Sequence, residues 1–364
     1  MTQMPTRLAN LAARLTELEI DAMLVTNEIN VRYLSGFTGD SSCLLVEPGQ
    51  TTILSDGRYD TQIATQCPTL RTAIRGPSKL LNQLIQEVVR DAGVSRLGIE
   101  ADDLSFSSYQ SLSESCGSTI FAPTTGVVEA QRMLKDDDEI KITREAVRIA
   151  EKAMLDLLPT LNEGWSERAI AHELESKMRS LGAEGCSFAP IVAEGASGAL
   201  PHYEPSDAVI GDSSTLLIDW GAKFQGYASD LTRTFHRETA STEFCRAYEV
   251  VLEAQLAAID KIGPGVPARD VDAAARGVLE KAGLGDAFKH GLGHGTGLQI
   301  HEAPRMSSIS EEELASGMII TVEPGVYFAG DFGIRIEDDV LVTETGREVL
   351  SRLPKGLDDC RIIL

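Results

Sequence analysis

The chain has 364 residues, 43% of them hydrophobic and 24% charged, which suits a soluble globular protein with more than one hydrophobic core. A formal charge of −22 and a pI near 4.7 exclude a binder of phosphate backbones, because no surplus of Lys and Arg exists to neutralise one. The charge does not name a substrate, since solvated surface carboxylates account for most of it.

The opening segment MTQMPTRLANLAARL lacks the long apolar stretch of a leader, and no apolar run approaches membrane-spanning length. Leu8, Leu11, Leu15 and Leu18 fall on one side of a helix expected over Thr6–Glu19. The runs DAMLV, SCLLV, TTILS, RLGIE and STIFA read as strands, with helices between them near Arg58–Thr65 and Ser78–Asp91. Together they predict a small α/β domain over residues 1–132. Charges and turn formers near 125–137 mark a surface connection. A long helix is expected from there to about Leu158, ended by Pro159, and another over Ser166–Leu181. Helices over Glu243–Lys261 and Ala268–Ala282 then interleave with the strands TLLIDWG, LTRTFH, MIITVEPG and FGIRIEDDVLVT. That order predicts hairpins with helices packed beside them, an α+β domain over residues 138–350. The cysteines at 43, 67, 116, 186, 245 and 360 form no CxxC pair. They are expected as free thiols in a reducing, cytoplasmic compartment.

Chemistry collects where polar residues interrupt apolar strands. Asp219 ends the run LLID, Asp230 begins the return strand, and a glycine-containing turn between them can bring the two carboxylates together across a hairpin. Glu323 follows an apolar strand and precedes Pro324. Alternation puts Arg335 and Glu337 on one face and Ile334 and Ile336 on the other. His294 lies between Gly293 and Gly295 in GLGHGTGLQIHE, a stretch without a Walker lysine and without the HExxH spacing. Taken singly, each has a plainer reading as turn residue, surface charge or loop histidine. Taken together, Asp219, Asp230, His294, Glu323 and Glu337 form an oxygen-rich ligand set with one imidazole, suited to Mn²⁺, Co²⁺ or Zn²⁺. Four carboxylates match the charge of two divalent ions, whereas one ion leaves an uncompensated excess in a poorly hydrated site.

The pieces DWGAKFQGYASDLTRTF, HGLGHGTGLQIHE, TVEPGVYF and GIRIEDDV resemble the metal-dependent aminopeptidases that include Xaa-Pro aminopeptidases, prolidases, methionine aminopeptidases and creatinase. VRYLSGFTGD and LSDGRYD resemble the N-terminal domain of the creatinase and prolidase branch. The resemblance implies a creatinase-like α/β domain followed by a "pita-bread" catalytic domain with a metal pair between its lobes. It implies that Asp219 binds one ion, Asp230 and Glu337 bridge both, and His294 and Glu323 complete the second ion's shell. Glu323 would also transfer the proton, with His202 or His301 stabilising the transition state. His290 would line the substrate cleft, Arg335 would orient the ligand carboxylates, and Arg305 would face the free carboxylate of a dipeptide. For His290 a supporting hydrogen bond, and for Arg305 a loop salt bridge, stay open.

The implied activity is hydrolysis of the Xaa-Pro bond in short peptides, as a prolidase, with two divalent ions, manganese foremost. Alternatives are an Xaa-Pro aminopeptidase on longer peptides, a methionine or broad aminopeptidase, and a non-catalytic peptide-binding module of the same fold. The expected partners are a short peptide with proline second and another copy of the chain, with no nucleic acid and no membrane.

Overall fold

A computed structural model describes residues 4–363; Met1–Gln3, part of the segment read for a leader, lie outside the described residues. The chain divides into two compact units, Met1–Arg132 and Met133–Leu364.

In the first unit the elements run α1 (Met4–Glu17), β1 (Ala22–Val25), α2 (Glu28–Ser35), β2 (Cys43–Glu47), β3 (Gln50–Asp56), α3 (Asp60–Gln66), β4 (Arg71–Arg75), α4 (Leu81–Asp91), β5 (Arg96–Glu100), α5 (Phe106–Ser115), β6 (Ile120–Thr124) and the short α6 (Glu129–Arg132). The six strands form one mixed sheet in the order β4-β3-β2-β1-β5-β6. Leu24, Leu45, Leu54 and Leu97 from the sheet pack with Leu84, Ile85 and Val89 of α4 as its core. Besides the single turn α6, three of these elements escape the periodicity argument, each for a local reason. Helix α2 is set by its ends: the Asn27 side chain accepts from the amides of Ile29 and Asn30, and Gly36 closes it at φ 75°. Strand β4 is an edge strand with no buried position, so it carries no apolar pattern. Helix α5 is serine-rich and buries only Leu112.

The second unit begins with α7 (Asp137–Leu157), whose first turn is held by a capping box between Asp136 and Glu139. Pro159 falls in a 3₁₀ turn just beyond its end. Then follow α8 (Glu167–Ser180), β7 (Gly185–Cys186), β8 (Ile191–Glu194), β9 (Thr215–Trp220), β10 (Ala222–Phe224), β11 (Tyr227–Ala228), β12 (Leu231–His236), α9 (Thr242–Lys261), α10 (Ala268–Lys281), β13 (Gly293–Gly295), β14 (Glu302–Met306), β15 (Ile319–Val322), β16 (Gly325–Phe328), β17 (Phe332–Arg335), β18 (Asp338–Val342) and β19 (Arg347–Val349). Helices α7 with α8 and α9 with α10 pack as pairs. Their apolar faces bury Ile149, Met154, Leu174, Tyr248 and Val251 against Ile218, Trp220, Ile320 and Ile336 in one continuous core. This is the α+β architecture expected from hairpins with side-packed helices.

The strands differ from expectation in one place that matters. FGIRIEDDVLVT does not make one continuous strand, whereas MIITVEPG ends ahead of Pro324 as expected and a new strand, β16, starts at Gly325. The first breaks at its midpoint, so that β15 pairs with β18 and β16 pairs with β17 in separate sheets. Pro324 has no amide to donate, which removes a ladder bond at the break. Glu323 lies at one break, and Ile336 and Glu337 at the other.

Candidate metal centre

Register explains why the acids converge. In the antiparallel pair β9–β12, Asp219 lies directly opposite Thr232. Side chains alternate along a strand, so Asp230, two residues before Thr232, joins the same face. The chain between them folds into its own small hairpin, β10–β11, turning at Gln225 (φ 47°) and Gly226 (φ 89°), both left-handed as a tight turn requires. An isolated bridge between Thr232 and Glu337 then brings the break after β17 onto this face. The Thr232 hydroxyl donates to Glu337 Oε2 at 2.6 Å.

His294 arrives on β13. Its backbone passes so close to neighbouring strands that a Cβ on Gly293 would lie 2.3 Å from the Thr321 carbonyl oxygen, and one on Gly295 2.1 Å from that of Ala303. Only glycine permits that approach on either side of the histidine. His294 Nδ1 lies 3.0 Å from the Gly295 carbonyl oxygen and so carries the proton. The unprotonated Nε2 points at Asp230 Oδ2 (3.5 Å) and Glu323 Oε1 (3.6 Å). Thr321 Oγ1 accepts from the His294 amide and donates to Glu323.

Ligand-capable atoms of Asp230, His294 and Glu337 lie within 4.8 Å of one another. Asp219 presents one oxygen to Arg335 Nη2 at 2.6 Å, while its Oδ1 is buried without a hydrogen-bond partner. An orphaned carboxylate oxygen beside three more acids is a donor set suited to a cation. Burial, first, and mutual repulsion, second, push Asp230 and Glu337 well above the usual carboxylate range. Burial raises Glu323 to about 8 and lowers His294 to about 4, leaving the imidazole neutral and able to ligate. Among the described residues Arg335 is the one guanidinium bonded to a carboxylate of the cluster, and it cannot offset four carboxylates. The residues fit a divalent metal centre.

The other expected residues take up different positions. Arg335 binds Asp219, Thr232 Oγ1 (3.1 Å) and the Tyr327 hydroxyl (2.9 Å). His290 has both ring nitrogens engaged, with the Gly291 carbonyl at 2.7 Å and the Tyr327 hydroxyl at 2.9 Å, and burial lowers it to about 4. The His301 ring is edge-on to His294, with centroids 4.4 Å apart, and is exposed. His202 is exposed on the loop before β9. Arg305 is exposed on β14, in register with His294. Sequence reasoning missed Thr232, Thr321 and Tyr327, and also Asp339, whose Oδ2 accepts from the Asp230 amide at 2.9 Å. A threonine in a strand gives no signal, because strands favour it anyway.

Residues 141–344 match metallopeptidase family M24, and residues 7–134 match the creatinase/prolidase N-terminal domain. The chain belongs to metallopeptidase family M24. An uncharacterised peptidase of Bacillus subtilis is 38% identical over 94% of this chain and 96% of its own length. The solved structure of an Xaa-Pro dipeptidase from Bacillus anthracis superposes with a TM-score of 0.94 at 38% identity, covering 97% of this chain and 99% of that one. An X-Pro aminopeptidase from Thermotoga maritima superposes with a TM-score of 0.87 at 34% identity, covering 94% and 98%. This M24 chain is therefore a peptidase that works with divalent metal, built as a creatinase-type N-terminal domain plus a pita-bread catalytic domain. Among the described residues no helix is long and apolar enough to cross a membrane, and the six cysteines are unpaired.

Proposed function

We propose that this peptidase hydrolyses the Xaa-Pro bond of dipeptides, with two divalent ions, manganese foremost and cobalt or zinc as substitutes. The observation that carries the reading is the convergence of Asp219, Asp230, His294, Glu323 and Glu337 at a buried site with one guanidinium to offset them. Asp219, Asp230, His294, Glu323 and Glu337 would hold the ions. When bound, the ions supply Lewis acidity for activating water and polarising a carbonyl.

The chain's own residues supply the rest. Glu323 takes the proton of the attacking water and delivers it to the leaving nitrogen. That delivery is essential ahead of proline, whose amide nitrogen carries no hydrogen and leaves only as it is protonated. His202 or His301 donates to the oxygen that gains charge. The acidic site attracts a free α-ammonium, which restricts cleavage to the N-terminal residue. We assign His290 to support: with Gly291 and Tyr327 holding its nitrogens, it fixes Tyr327 against Arg335, and Arg335 against Asp219. Arg305 is proposed to grip the dipeptide's carboxylate.

The second reading, an Xaa-Pro aminopeptidase acting on longer peptides, is favoured by the likeness to the Thermotoga maritima enzyme. Metal-reconstituted protein assayed on matched Xaa-Pro dipeptides and Xaa-Pro-Xaa tripeptides separates the two. Turnover of the dipeptide alone supports the first, and turnover of the tripeptide alone overturns it. Glu323→Gln is expected to abolish most turnover in a folded protein; retained activity removes Glu323 from proton transfer. A cytoplasmic homodimer is the proposed setting, tested by sedimentation equilibrium.

A further inference from the structure

The matched catalytic region ends at residue 344, yet Leu353 and Pro354 beyond it accept hydrogen bonds from Arg233, the chain neighbour of Thr232. Arg233 follows Thr232 on β12, so its side chain leaves the opposite face of the strand, where it is fully buried. Its guanidinium donates through Nε to the Pro354 carbonyl (3.2 Å), through Nη1 to the carbonyls of Thr232 (2.9 Å) and Glu337 (2.6 Å), and through Nη2 to Asp338 Oδ1 (2.8 Å) and the Leu353 carbonyl (2.7 Å). These five acceptors match the guanidinium's whole donor capacity. Two of them are the main-chain oxygens of Thr232 and Glu337, whose side chains bond each other in the centre. Two more belong to the C-terminal segment.

That segment is itself fastened along the same elements. Lys355 Nζ and Gln255 Nε2 both reach Asp338 Oδ2. The Tyr248 hydroxyl donates to the Lys355 carbonyl at 3.0 Å. His236 Nε2 lies 2.9 Å from the Leu357 carbonyl, and the Ile362 amide donates to the His236 carbonyl at 2.8 Å. Glu337 needs such support because it sits where the backbone leaves β17 and has not yet joined β18, with an isolated bridge to Thr232 as its strand pairing.

We propose that Arg233 is a positioning residue of the metal centre and that the segment Leu353–Ile362 is the seat holding it, so that residues beyond the matched region set metal affinity. The proposal rests on the metal-centre assignment above. The guanidinium clamps the Glu337 carbonyl from behind while Thr232 holds its carboxylate in front. A lysine at 233 brings one point charge on a flexible stem and cannot span the Glu337, Leu353 and Pro354 carbonyls together.

The test is Mn²⁺ titration by calorimetry at 25 °C into chelator-stripped full-length protein, for wild type, Arg233→Lys and Lys355→Met, with circular dichroism reporting the fold. Both variants are expected to bind Mn²⁺ roughly 10–100-fold more weakly with the wild-type spectrum, the range typical for groups that orient metal ligands. Their activation by added Mn²⁺ moves to higher concentration by the same factor. A purely structural role lowers the melting temperature but leaves the affinity of the folded protein unchanged, and that result overturns the proposal. If Arg233→Lys does not fold, Lys355→Met decides alone, since it keeps the Arg233–Asp338 pair and removes the bonds by which the seat holds Asp338 and Gln255. Wild type that binds Mn²⁺ but cleaves no Xaa-Pro dipeptide overturns the substrate reading and leaves this one standing. Wild type that binds no divalent ion overturns both.

Discussion

Glu167, the first residue of α8, offers a quantitative test of how the His202 loop is held. Its carboxylate is buried and gathers four donors: the Glu194 amide (3.0 Å) on Oε1, and the Tyr203 hydroxyl (2.8 Å), Ser206 amide (3.0 Å) and Ser206 hydroxyl (2.7 Å) on Oε2. Glutamine fits the same space but can accept through one oxygen only. Its best orientation keeps the three donors from Tyr203 and Ser206, now at neutral strength, and turns an NH₂ group towards the Glu194 amide. One charge-assisted bond is lost, worth about 1.5–3 kcal/mol, and the rest weaken, so Glu167→Gln should cost about 3 kcal/mol. For a unit of this size that is a fall of about 6–12 °C in its melting temperature.

The functional arm of the same variant follows from what the carboxylate ties down. Tyr203 and Ser206 follow His202 on the same loop, so releasing them moves the proposed transition-state donor. A misplacement near 1 Å costs up to about 100-fold in turnover. Stopped kinetics at saturating Mn²⁺, with calorimetry as control, should show kcat/KM reduced roughly 10–100-fold and metal affinity unaltered, because Glu167 touches none of the five proposed ligands. A melting temperature within about 2 °C of wild type refutes the hydrogen-bond account. A lowered melting temperature with unchanged kcat/KM refutes the link to His202.

Thr232→Val keeps the shape of the strand but removes the hydroxyl between Glu337 Oε2 and Arg335 Nε, so Mn²⁺ affinity should fall roughly 10–100-fold in calorimetry; equal affinity removes Thr232 from the centre. Saturation with metal should stabilise the catalytic unit by about 2.7 kcal/mol at 100 times Kd, and a chelator should reverse it; melts insensitive to both contradict a native-state metal site. In the N-terminal unit, hydrogen bonds from the Arg58 side chain and amide hold Asp56 down at about 2 against an ordinary 3.8, with Arg75 adding its charge. A depressed carboxylate pKa means stability that is full above pH 3.8 and is lost as pH falls through 2, so the gap between Asp56→Asn and wild type in urea melts should close over that window. A gap independent of pH shows that the Asp56 charge contributes nothing.

The fold class was legible because the apolar runs of the N-terminal sheet and the amphipathic helices of the second unit carry strong periods. What was not legible was decided by ends and edges: the Asn27 cap of α2, the exposed edge strand β4, and the break that splits 332–342 into β17 and β18. The acids of the centre stood out for a physical reason. A carboxylate in an otherwise apolar strand is costly unless something compensates it, so Asp219 and Glu323 are conspicuous in sequence.

The residues that orient those acids are inconspicuous for the converse reason. Thr232 and Tyr327 are ordinary strand formers, and their partners are fixed by closure over long separations, Thr232 to Glu337 across 105 positions. Arg233 differs, since a cation inside LTRTF breaks the apolar pattern as sharply as any aspartate. Its signal was visible but could not be interpreted, because its acceptors are main-chain carbonyls, which every residue possesses, and those of Leu353 and Pro354 lie beyond the expected domain end at 350. A buried charge in a strand therefore announces that compensation exists, while its location is readable only when the compensating group is itself an unusual side chain.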